Sequence, residues 1–492
     1  MTAHQPLTMH DVCEDLAGPA DQPRIAVLGA GPAGVGAALY LAKSRKASVC
    51  VYEAADGVGG AAGGFDLAGV HCDLGSHRLH PAAEPHVMEE IKAAVGDDLF
   101  WRPRHGRIRL QERWIHFPLK PVDFALNARK SFVASAAIDS ALKFLPKKAS
   151  GGSSFASVLE RGLGRTICHS FYFPYARKLW GVEPETLDAT AARRRVSGSS
   201  ARKIIAKVLR QLPGLKSPTA GGFYYPRRGF KQIVEGLRAA SEQHGALYAL
   251  NTKALEIHRG YRNGFRLLLE GPDGTDVQEA DAIWSTIPIS ALVRAMRPAA
   301  PGAVLEAAAS IRYRSMILIY LVLEQDQFTE YDAHYFPETA IPVSRLSEPK
   351  NYSASKEPEG ITVLCLELPC NVRDEVWAMS DDALGHKSCS WLASAGLPVR
   401  SRVRTVATRR LSHAYPIYDR DFSGKLDTLE AWIESIGGIV TFGRQGLFAH
   451  DNTHHALAMA HAAAQCLRDG GSWDRAAWAQ AREAFRQHVV ED

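Results

Sequence analysis

A glycine pattern near the amino terminus is the feature that most constrains the fold of this chain. Residues 25–28 are apolar and predict a strand, and Gly29-Ala-Gly31-Pro-Ala-Gly34 leads from that strand into a helix. Gly29 permits a tight turn, Gly31 lets the backbone approach phosphate oxygens, and Gly34 lets the helix pack closely on the strand. The pattern predicts a βαβ unit whose helix N-terminus holds the pyrophosphate of a dinucleotide.

A second strand and a second glycine cluster narrow the choice of dinucleotide. The strand Ser48–Tyr52 runs into Glu53, nineteen residues after the last motif glycine, where a carboxylate accepts hydrogen bonds from a ribose. Gly57 and the glycine pairs at 59–60 and 63–64 follow. This cluster resembles the second glycine cluster of the FAD-dependent amine-oxidase superfamily. FAD is therefore favoured, with NAD as the alternative.

The composition bounds the class of protein. With 492 residues, 46% of them hydrophobic, the chain predicts two interleaved globular domains. A formal net charge of +5 is too small to indicate a nucleic-acid partner. The eight cysteines form no CxxC pair and no metal-ligand spacing. We expect buried thiols, a reduced cytoplasmic location and no metal site, whereas the oligomeric state and a covalent or non-covalent FAD stay open.

The order of the predicted elements indicates an α/β fold with a discontinuous Rossmann-like, GR2-type FAD domain. We assign this domain to residues 23–95, 240–300 and 405–470. Residues 96–239 are predicted to form a helical substrate domain, and residues 301–404 a small mixed β-sheet that caps the substrate. The first 22 residues are expected to be a disordered tail and residues 471–492 a C-terminal tail helix. The longest apolar run, residues 316–323, is too short to span a bilayer and predicts a buried strand.

A second helix start near the C-terminus is a further candidate for contact with the cofactor. The predicted strand at residues 438–442 is followed by Gly443 and Arg444, and then by a helix that Asp451 or Asn452 can cap. The positive end of such a helix stabilises negative charge on a reduced flavin. An ordinary strand-to-helix junction with a polar cap is the alternative.

Several separate motifs resemble the UDP-galactopyranose mutases and related protoporphyrinogen-oxidase-like flavoproteins. The resemblance covers about residues 25–470. Besides the glycines, it rests on segments in the same order as in those families, at residues 73–80 (Asp-Leu-Gly-Ser-His-Arg-Leu-His), 106–118, 173–181, 223–230, 342–346, 415–419 and 443–444.

The resemblance implies roles for single residues. His77 is expected beside the flavin, and Arg345 is expected to hold an anionic substrate group, although a solvated loop charge is the alternative. Arg194 or Arg195 is the matching candidate in the helical domain, with Arg195 assigned to substrate binding. Tyr175, Trp180 and Tyr225 complete the expected substrate site; Trp180 equally suits the core of the helical domain. The expected FAD-binding residues are Gly29, Ala30, Gly31, Pro32, Ala33, Gly34, Glu53, Ala54, Gly60, Ala61, Ser76, His77, Leu255, Gly443, Arg444, Asn452, Thr453 and Ala456.

One departure from the mutase pattern bears on the substrate. Where the mutases carry adjacent tyrosines and an Asp, residues 450–454 read His-Asp-Asn-Thr-His. We therefore expect an FAD-dependent oxidoreductase that transfers hydride from a phosphorylated or sugar-nucleotide-like small molecule to flavin N5, in glycan or natural-product biosynthesis. The alternatives are a redox-neutral mutase that uses reduced FAD to interconvert pyranose and furanose rings, and a flavin-bound protein that has lost catalysis.

Two remaining features have competing interpretations. His454 and His455 point about 100° apart on a helix, so they are not expected to share a metal ion. Residues 128–148 mix lysines with apolar residues, and a helix that covers its own core is favoured over contact with a membrane or a lipid-linked substrate. Membrane association is therefore not expected.

Overall fold

The computed structural model describes residues 22–142, 154–195, 221–261 and 264–490. Almost all of the predicted N-terminal tail lies outside these ranges, as do Lys143, Lys147, Lys148 and the side chain of Arg195.

The strands occur throughout the chain and form several separate sheets. In chain order they are β1 (Arg24–Leu28), β2 (Ser48–Tyr52), β3 (Gly64–Leu67), β4 (Val70–Asp73), β5 (Leu99–Pro103), β6 (Gly106–Leu110), β7 (Arg113–Phe117), β8 (Gly222–Pro226), β9 (Leu247–Ala249), β10 (Lys253–Tyr261), β11 (Gly264–Gly271), β12 (Gly274–Ala280), β13 (Ala282–Ser285), β14 (Met296–Arg297), β15 (Tyr313–Leu323), β16 (Ala333–Tyr335), β17 (Arg345–Ser347), β18 (Thr362–Cys370), β19 (Val403–Pro416) and β20 (Ile439–Thr441).

The helices lie between and around these strands. They are α1 (Pro32–Ser44), α2 (Pro85–Val95), α3 (Pro121–Asn127), α4 (Lys130–Leu142), α5 (Phe155–Leu163), α6 (Arg165–Ile167), α7 (Phe173–Trp180), α8 (Ala189–Arg195), α9 (Lys231–Gln243), α10 (Ile289–Ala295), α11 (Gly302–Ser310), α12 (Pro349–Ser353), α13 (Asp381–Ser394), α14 (Phe422–Ile436), α15 (Gly443–Gly446), α16 (Thr453–Cys466) and α17 (Arg475–Phe485).

A five-stranded parallel sheet with the order β20-β13-β1-β2-β9 confirms the α/β fold class. The strands come from three distant parts of the chain, so this domain is discontinuous. Since the carboxyl ends of parallel strands share one edge, the sheet places the loop after β1 beside the loop after β20.

Helix α1 connects β1 to β2 and packs against a helix from a distant part of the chain. A Cβ added at Gly36 would lie 2.9 Å from Leu457 of α16 and 3.1 Å from Ala460, so a small residue is required where these helices cross. Ile233 and Leu237 of α9 belong to the same buried cluster. The two loop-to-helix transitions that follow β1 and β20 are therefore held together by a packed core.

A seven-stranded sheet with the order β19-β15-β18-β17-β16-β6-β7 forms the second unit. Its strand β15, which lies between β19 and β18, is buried from Arg314 to Leu323, and this confirms the buried strand predicted over residues 316–323. Strand β18 is buried along its whole length between β15 and β17. Apolar side chains on both faces explain why these two strands read as almost continuous hydrophobic runs.

Packing moves several of the expected domain boundaries. Helix α9 begins within 96–239 in sequence but packs on α1, and α11 joins the core that contains Ile289 and Ile433. Strands β6 and β7 pair with the seven-stranded sheet through β16, and β19 extends that sheet to Pro416. The C-terminal helix α17 buries Trp478 and Phe485 against the domain that contains the five-stranded sheet. Each of these changes to the domain boundaries comes from packing or strand pairing between segments that are far apart in the chain. A division of the sequence into consecutive segments cannot predict such contacts.

Within the described ranges, no helix combines the length and the apolar character that a membrane span needs.

Candidate active site

The turn after β1 forms an open cradle of backbone atoms. Gly29 has a φ of +96°, and a Cβ added at Gly34 would overlap the Gly29 carbonyl oxygen at 1.8 Å, so α1 begins in tight contact with the turn. At Gly31 an added Cβ meets nothing nearer than the Cα of Gly60, at 3.9 Å. No described side chain caps the N-terminus of α1, whose first residue is Pro32. The cradle thus keeps free space and backbone N–H groups where a pyrophosphate fits.

Glu53 closes one side of this cradle. Its carboxylate accepts hydrogen bonds from the backbone N–H groups of Ala30, at 2.6 Å, and Ala55, at 2.9 Å. Each carboxylate oxygen keeps a further lone pair for a ribose hydroxyl. The backbone N–H of Thr252 donates to the Glu53 carbonyl, which brings the start of β10 and its half-buried Leu255 to the same edge. Ala54, Gly60 and Ala61 are exposed along this edge.

The C-terminal motif contacts the same cradle directly. Gly443 has a φ of +79°, and a Cβ added there would lie 2.6 Å from the Cβ of Ala33 in α1. The Arg444 guanidinium donates to the backbone carbonyls of Ala414, at 2.6 Å, and Asp451, at 3.1 Å. Two motifs more than 400 residues apart in sequence therefore meet at one cleft.

Helix α16 starts beside this contact. Asn452 precedes its first residue, Thr453, and the Asn452 backbone N–H donates to His455 Nδ1 at 3.3 Å. Ala456, on the first turn, is buried. The positive end of the α16 dipole lies at the cleft, where it stabilises negative charge on a bound group.

Asp451, just before this helix, sits in a buried charged cluster that joins three parts of the chain. Arg194 of α8 lies 3.3 Å from its carboxylate, and His455 and His488 each place Nδ1 at 3.8 Å. Burial raises the pKa of Asp451, but the contact with His488 and the charge of Arg194 outweigh burial and lower it overall. Arg194 is therefore engaged with the protein rather than directed at a substrate.

The same three ligand-bearing side chains, Asp451, His455 and His488, come within 4.8 Å of one another, as in a metal site. The two imidazoles, however, stack with centroids 4.3 Å apart and planes 15° apart. Since the nitrogen lone pair lies in the ring plane, two stacked rings cannot both point at one ion. His455 Nδ1 already accepts from Asn452. The geometry fits an ion-paired clamp.

The predicted segment around His77 is anchored by a buried carboxylate. Asp73 accepts hydrogen bonds from the Tyr225 hydroxyl, at 2.6 Å, and from the Phe230 backbone N–H, at 2.8 Å. Burial raises the pKa of Asp73 to about 7, although both donors lower it. The Tyr225 side chain is buried and its hydroxyl is used by Asp73, which corrects its expected role in substrate binding.

His77 itself is held neutral beside the cluster of charges. Its Nε2–H donates to the Leu74 carbonyl at 3.0 Å, which leaves Nδ1 as an acceptor. Burial, together with the nearby guanidinium groups of Arg345 and Arg444, lowers the pKa of His77 to about 4, although the hydrogen bond to Leu74 and the charge of Glu367 act to raise it. His77 is therefore uncharged at neutral pH.

Arg345 lies in this cluster as the first residue of β17. Its guanidinium donates twice to one oxygen of Glu367, at 2.9 and 2.6 Å, and the same oxygen accepts from the Ser76 backbone N–H at 3.0 Å. Arg345 is largely buried, so it is not the solvated loop charge that the sequence left as an alternative. The Glu367 charge raises its pKa well above the ordinary range, against the effect of burial.

Arg78 is a buried guanidinium that the sequence did not single out. It donates to the hydroxyls of Tyr335, at 2.9 Å, and Tyr352, at 3.0 Å, and it lies 3.5 Å from Asp332. The Ser76 hydroxyl is hydrogen-bonded to Tyr352. The only signal in the sequence was its position next to His77. Together, residues 76–78 connect the cofactor domain to the seven-stranded sheet.

A cavity of about 890 Å³ adjoins this cluster. Asp332 and Phe223 line it and also contact Arg78 on its inner side. Charged side chains of both signs, including Arg102 and Glu330, line the rest. The cavity has room for a small molecule, and Asp332 and Phe223 connect its wall to Arg78.

Two other expected substrate residues lie in the helical insertion. Trp180 is 3% exposed and packs edge-on against Phe155, so it fills the core and does not stack on a ligand. Tyr175 is half-buried against Phe171 and the cluster that contains Tyr335.

Comparison with known proteins gives the same architecture. The family model "Flavin containing amine oxidoreductase" matches residues 32–424. A structure of reduced UDP-galactopyranose mutase aligns with a TM-score of 0.76 at 20% identity, over 90% of this chain and 93% of that one. A putative protoporphyrinogen oxidase from Exiguobacterium sp. aligns with a TM-score of 0.68 at 16% identity, over 90% and 98%. Cyclohexylamine oxidase from Brevibacterium oxydans aligns with a TM-score of 0.61 at 16% identity, over 94% and 99%. No curated protein matches the sequence.

Proposed function

Because this chain belongs to the flavin-containing amine oxidoreductases and is an FAD-dependent enzyme, we propose that it oxidises an anionic small molecule bearing a phosphate or diphosphate. The substrate class that we infer is a phosphorylated or sugar-nucleotide-like metabolite of glycan or natural-product biosynthesis. Six of the seven described cysteines are buried, which is in keeping with a reduced, cytoplasmic location.

The buried guanidinium group of Arg345 carries this proposal. Arg345, Arg78 and Arg444 bring three positive charges to the cluster around His77, whereas Glu367 and Asp332 bring two negative ones. The net charge favours an anion, and buried guanidinium groups bind phosphate oxygens in a bidentate manner. Neutral His77 adds an acceptor without adding charge.

The residues of the chain have distinct tasks in this proposal. The Gly29–Gly34 cradle would hold the pyrophosphate of the cofactor, the start of α16 would face its flavin, and Glu53 would accept a hydrogen bond from its ribose. When bound, FAD supplies the acceptor for the hydride that leaves a substrate C–H bond. Arg345 orients the anionic group of the substrate, and Glu367 and Ser76 fix the position of that guanidinium. The buried Tyr335 and Tyr352 accept hydrogen bonds from Arg78 and hold its guanidinium in place.

The second candidate is redox-neutral isomerisation of a nucleotide sugar with reduced FAD. It is favoured by the similarity of the fold to reduced UDP-galactopyranose mutase. Against it, Asp451 stands in the segment that departs from the mutase pattern, and its carboxylate is engaged with Arg194 and two histidines.

One experiment separates the two candidates. Nucleotide sugars and sugar phosphates are added without oxygen to the FAD-loaded protein, in oxidised and reduced form side by side, and flavin absorbance is recorded. The proposal predicts that a substrate bleaches the oxidised flavin and transfers electrons in stoichiometric amount. Turnover that requires reduced flavin but consumes no electrons would instead establish the isomerase.

A further inference from the structure

Two consecutive helices of the insertion expose large apolar side chains to solvent. Val122 and Leu126 on α3 are 70% and 74% exposed, and Ile138 on α4 is 59% exposed. The other large hydrophobic side chains that are similarly exposed in the described ranges, Val277 and Val372, are isolated and lie elsewhere in the chain. Single exposed apolar residues need no explanation, but three on neighbouring helices mark a contact surface.

The opposite sides of these helices are packed against the protein. Phe124 of α3 and Phe132 of α4 contact each other with ring centroids 6.1 Å apart, over a buried cluster that includes Tyr335. Val122 and Leu126 are one turn apart, so they share a helical face, and each is two residues, or about 200°, from Phe124. The helices already contact the core through Phe124 and Phe132, so the exposed apolar side chains on the opposite side are not needed for that contact.

The charges around this face are arranged asymmetrically. Arg113, Lys120 and Lys130 are exposed next to α3 and α4. Of the nearby acids, Asp123 accepts from the His116 backbone N–H at 2.7 Å and Asp139 from the Thr166 backbone N–H at 2.6 Å, whereas the exposed Glu112 pairs with the exposed Arg129 at 3.1 Å.

Because Glu112 is paired with Arg129, the exposed Arg113, Lys120 and Lys130 leave an excess of positive charge next to α3 and α4. An anionic partner is thus favoured at the face where the apolar side chains are exposed.

We propose that the α3–α4 face docks on the surface of an anionic membrane. Apolar side chains flanked by basic ones are the composition of helices that lie in the bilayer interface, with the apolar face among the acyl chains and the lysines at the head groups. A second copy of the chain fits less well, because a symmetric contact would bring like charges together. Docking is peripheral, and it places the helices that pack over Tyr335 at the lipid surface.

The test is vesicle co-sedimentation with the full-length, FAD-loaded protein. The vesicles are pure phosphatidylcholine or an equal mixture of phosphatidylcholine and phosphatidylglycerol. We expect binding to the anionic vesicles that weakens with added salt. The triple variant Val122→Ser, Leu126→Ser and Ile138→Ser should lower the partition coefficient by on the order of tenfold or more. The double variant Lys120→Glu and Lys130→Glu should also weaken binding, and more strongly at low salt.

The matched control removes exposed apolar side chains elsewhere. Val277→Ser with Val372→Ser should leave vesicle binding unchanged, and all variants should keep their FAD content, since the changed residues are exposed. Failure of the wild-type protein to bind anionic vesicles would overturn the proposal, as would a triple variant that binds like wild type. A concentration-dependent dimer that the triple variant abolishes, without vesicle binding, would assign the face to a second copy. None of these results bears on the substrate.

Discussion

Arg345 and Glu367 lie opposite each other on β17 and β18, and the guanidinium donates two hydrogen bonds, of 2.9 and 2.6 Å, to a single oxygen of that carboxylate. Glu367 is almost completely buried, and the same oxygen also accepts from the backbone of Ser76. Glu367 therefore holds the Arg345 guanidinium in place at the cleft, and its negative charge cancels part of the positive charge of Arg345. How strongly the site attracts an anion depends on this balance.

Replacement of Arg345 tests its contact with the substrate. Arg345→Lys keeps the charge but loses the planar, bidentate donor, so we expect FAD to stay bound and anion affinity to fall by about 1 to 3 kcal/mol. Calorimetric titration of a nucleoside diphosphate into the loaded protein measures this loss. Arg113→Lys, on the exposed surface, is the matched control. Equal affinities in the Arg345 variant and the wild type would remove Arg345 from the site.

Replacement of its partner should act in the opposite direction. Glu367→Gln keeps an oxygen that can accept from Arg345 and Ser76 but removes the negative charge, so we expect tighter binding of anions. Because a buried guanidinium then loses its counter-ion, the free energy of unfolding should fall by about 3 to 5 kcal/mol. Titration and urea unfolding of the same variant measure the two effects. Weaker anion binding in a folded Glu367→Gln protein would show that the carboxylate mainly positions Arg345.

His77 should not titrate near neutral pH. Burial lowers its pKa to about 4, below the ordinary value of 6.5, so it stays neutral as the pH falls through the usual range. The unfolded chain binds the proton first, so the contribution of His77 to stability is present above about pH 6.5 and is lost towards pH 4. We expect kcat/KM of the wild type and of His77→Gln to follow parallel pH profiles above about pH 5.5. If kcat/KM of the wild type, but not of His77→Gln, changed with pH near the ordinary histidine pKa, His77 would not be neutral as described.

Asp73 should have the opposite effect on stability. Its pKa is raised from 3.8 to about 7, chiefly by burial, so the folded protein holds a proton that the unfolded chain releases. Its contribution is therefore present below about pH 4 and is lost as the pH rises to about 7. Asp73→Asn carries no ionisable group and should remove this dependence. The measurement is the difference in free energy of unfolding between variant and wild type across that range. A difference that is constant with pH would mean that Asp73 ionises at its ordinary pKa.

The parts of the fold and the site that the sequence predicted are those set by local backbone geometry. The glycine turn, its strand and helix, and the acid at Glu53 lie within one short stretch, where the conformation demanded by the backbone selects the residue type. Gly443 and Arg444 followed from the same kind of pattern. The contact of Gly443 with Ala33 brings these two patterns together at one cleft.

The partners of the buried charges were not predictable in this way. Glu367 meets Arg345 through the register of β17 with β18, and Asp73 meets Tyr225 across 152 residues. A single sequence shows which residues are charged but not which distant strand will carry the counter-charge. For the same reason Tyr225 was assigned to the substrate, whereas its hydroxyl completes a buried structural contact.

The central claim is that the cleft between the glycine cradle and the start of α16 holds one FAD, and Gly31→Val tests it most directly. Gly31 has a φ of −69°, which any residue adopts, and an added Cβ meets nothing closer than 3.9 Å, so the variant should fold. The valine side chain would nevertheless occupy the space of the pyrophosphate. Gly424→Val, at an exposed glycine of α14 whose added Cβ meets nothing within 4 Å, is the control. We predict one FAD per chain in the wild type and in Gly424→Val, and a folded but colourless Gly31→Val; a yellow Gly31→Val with full FAD content would contradict the account.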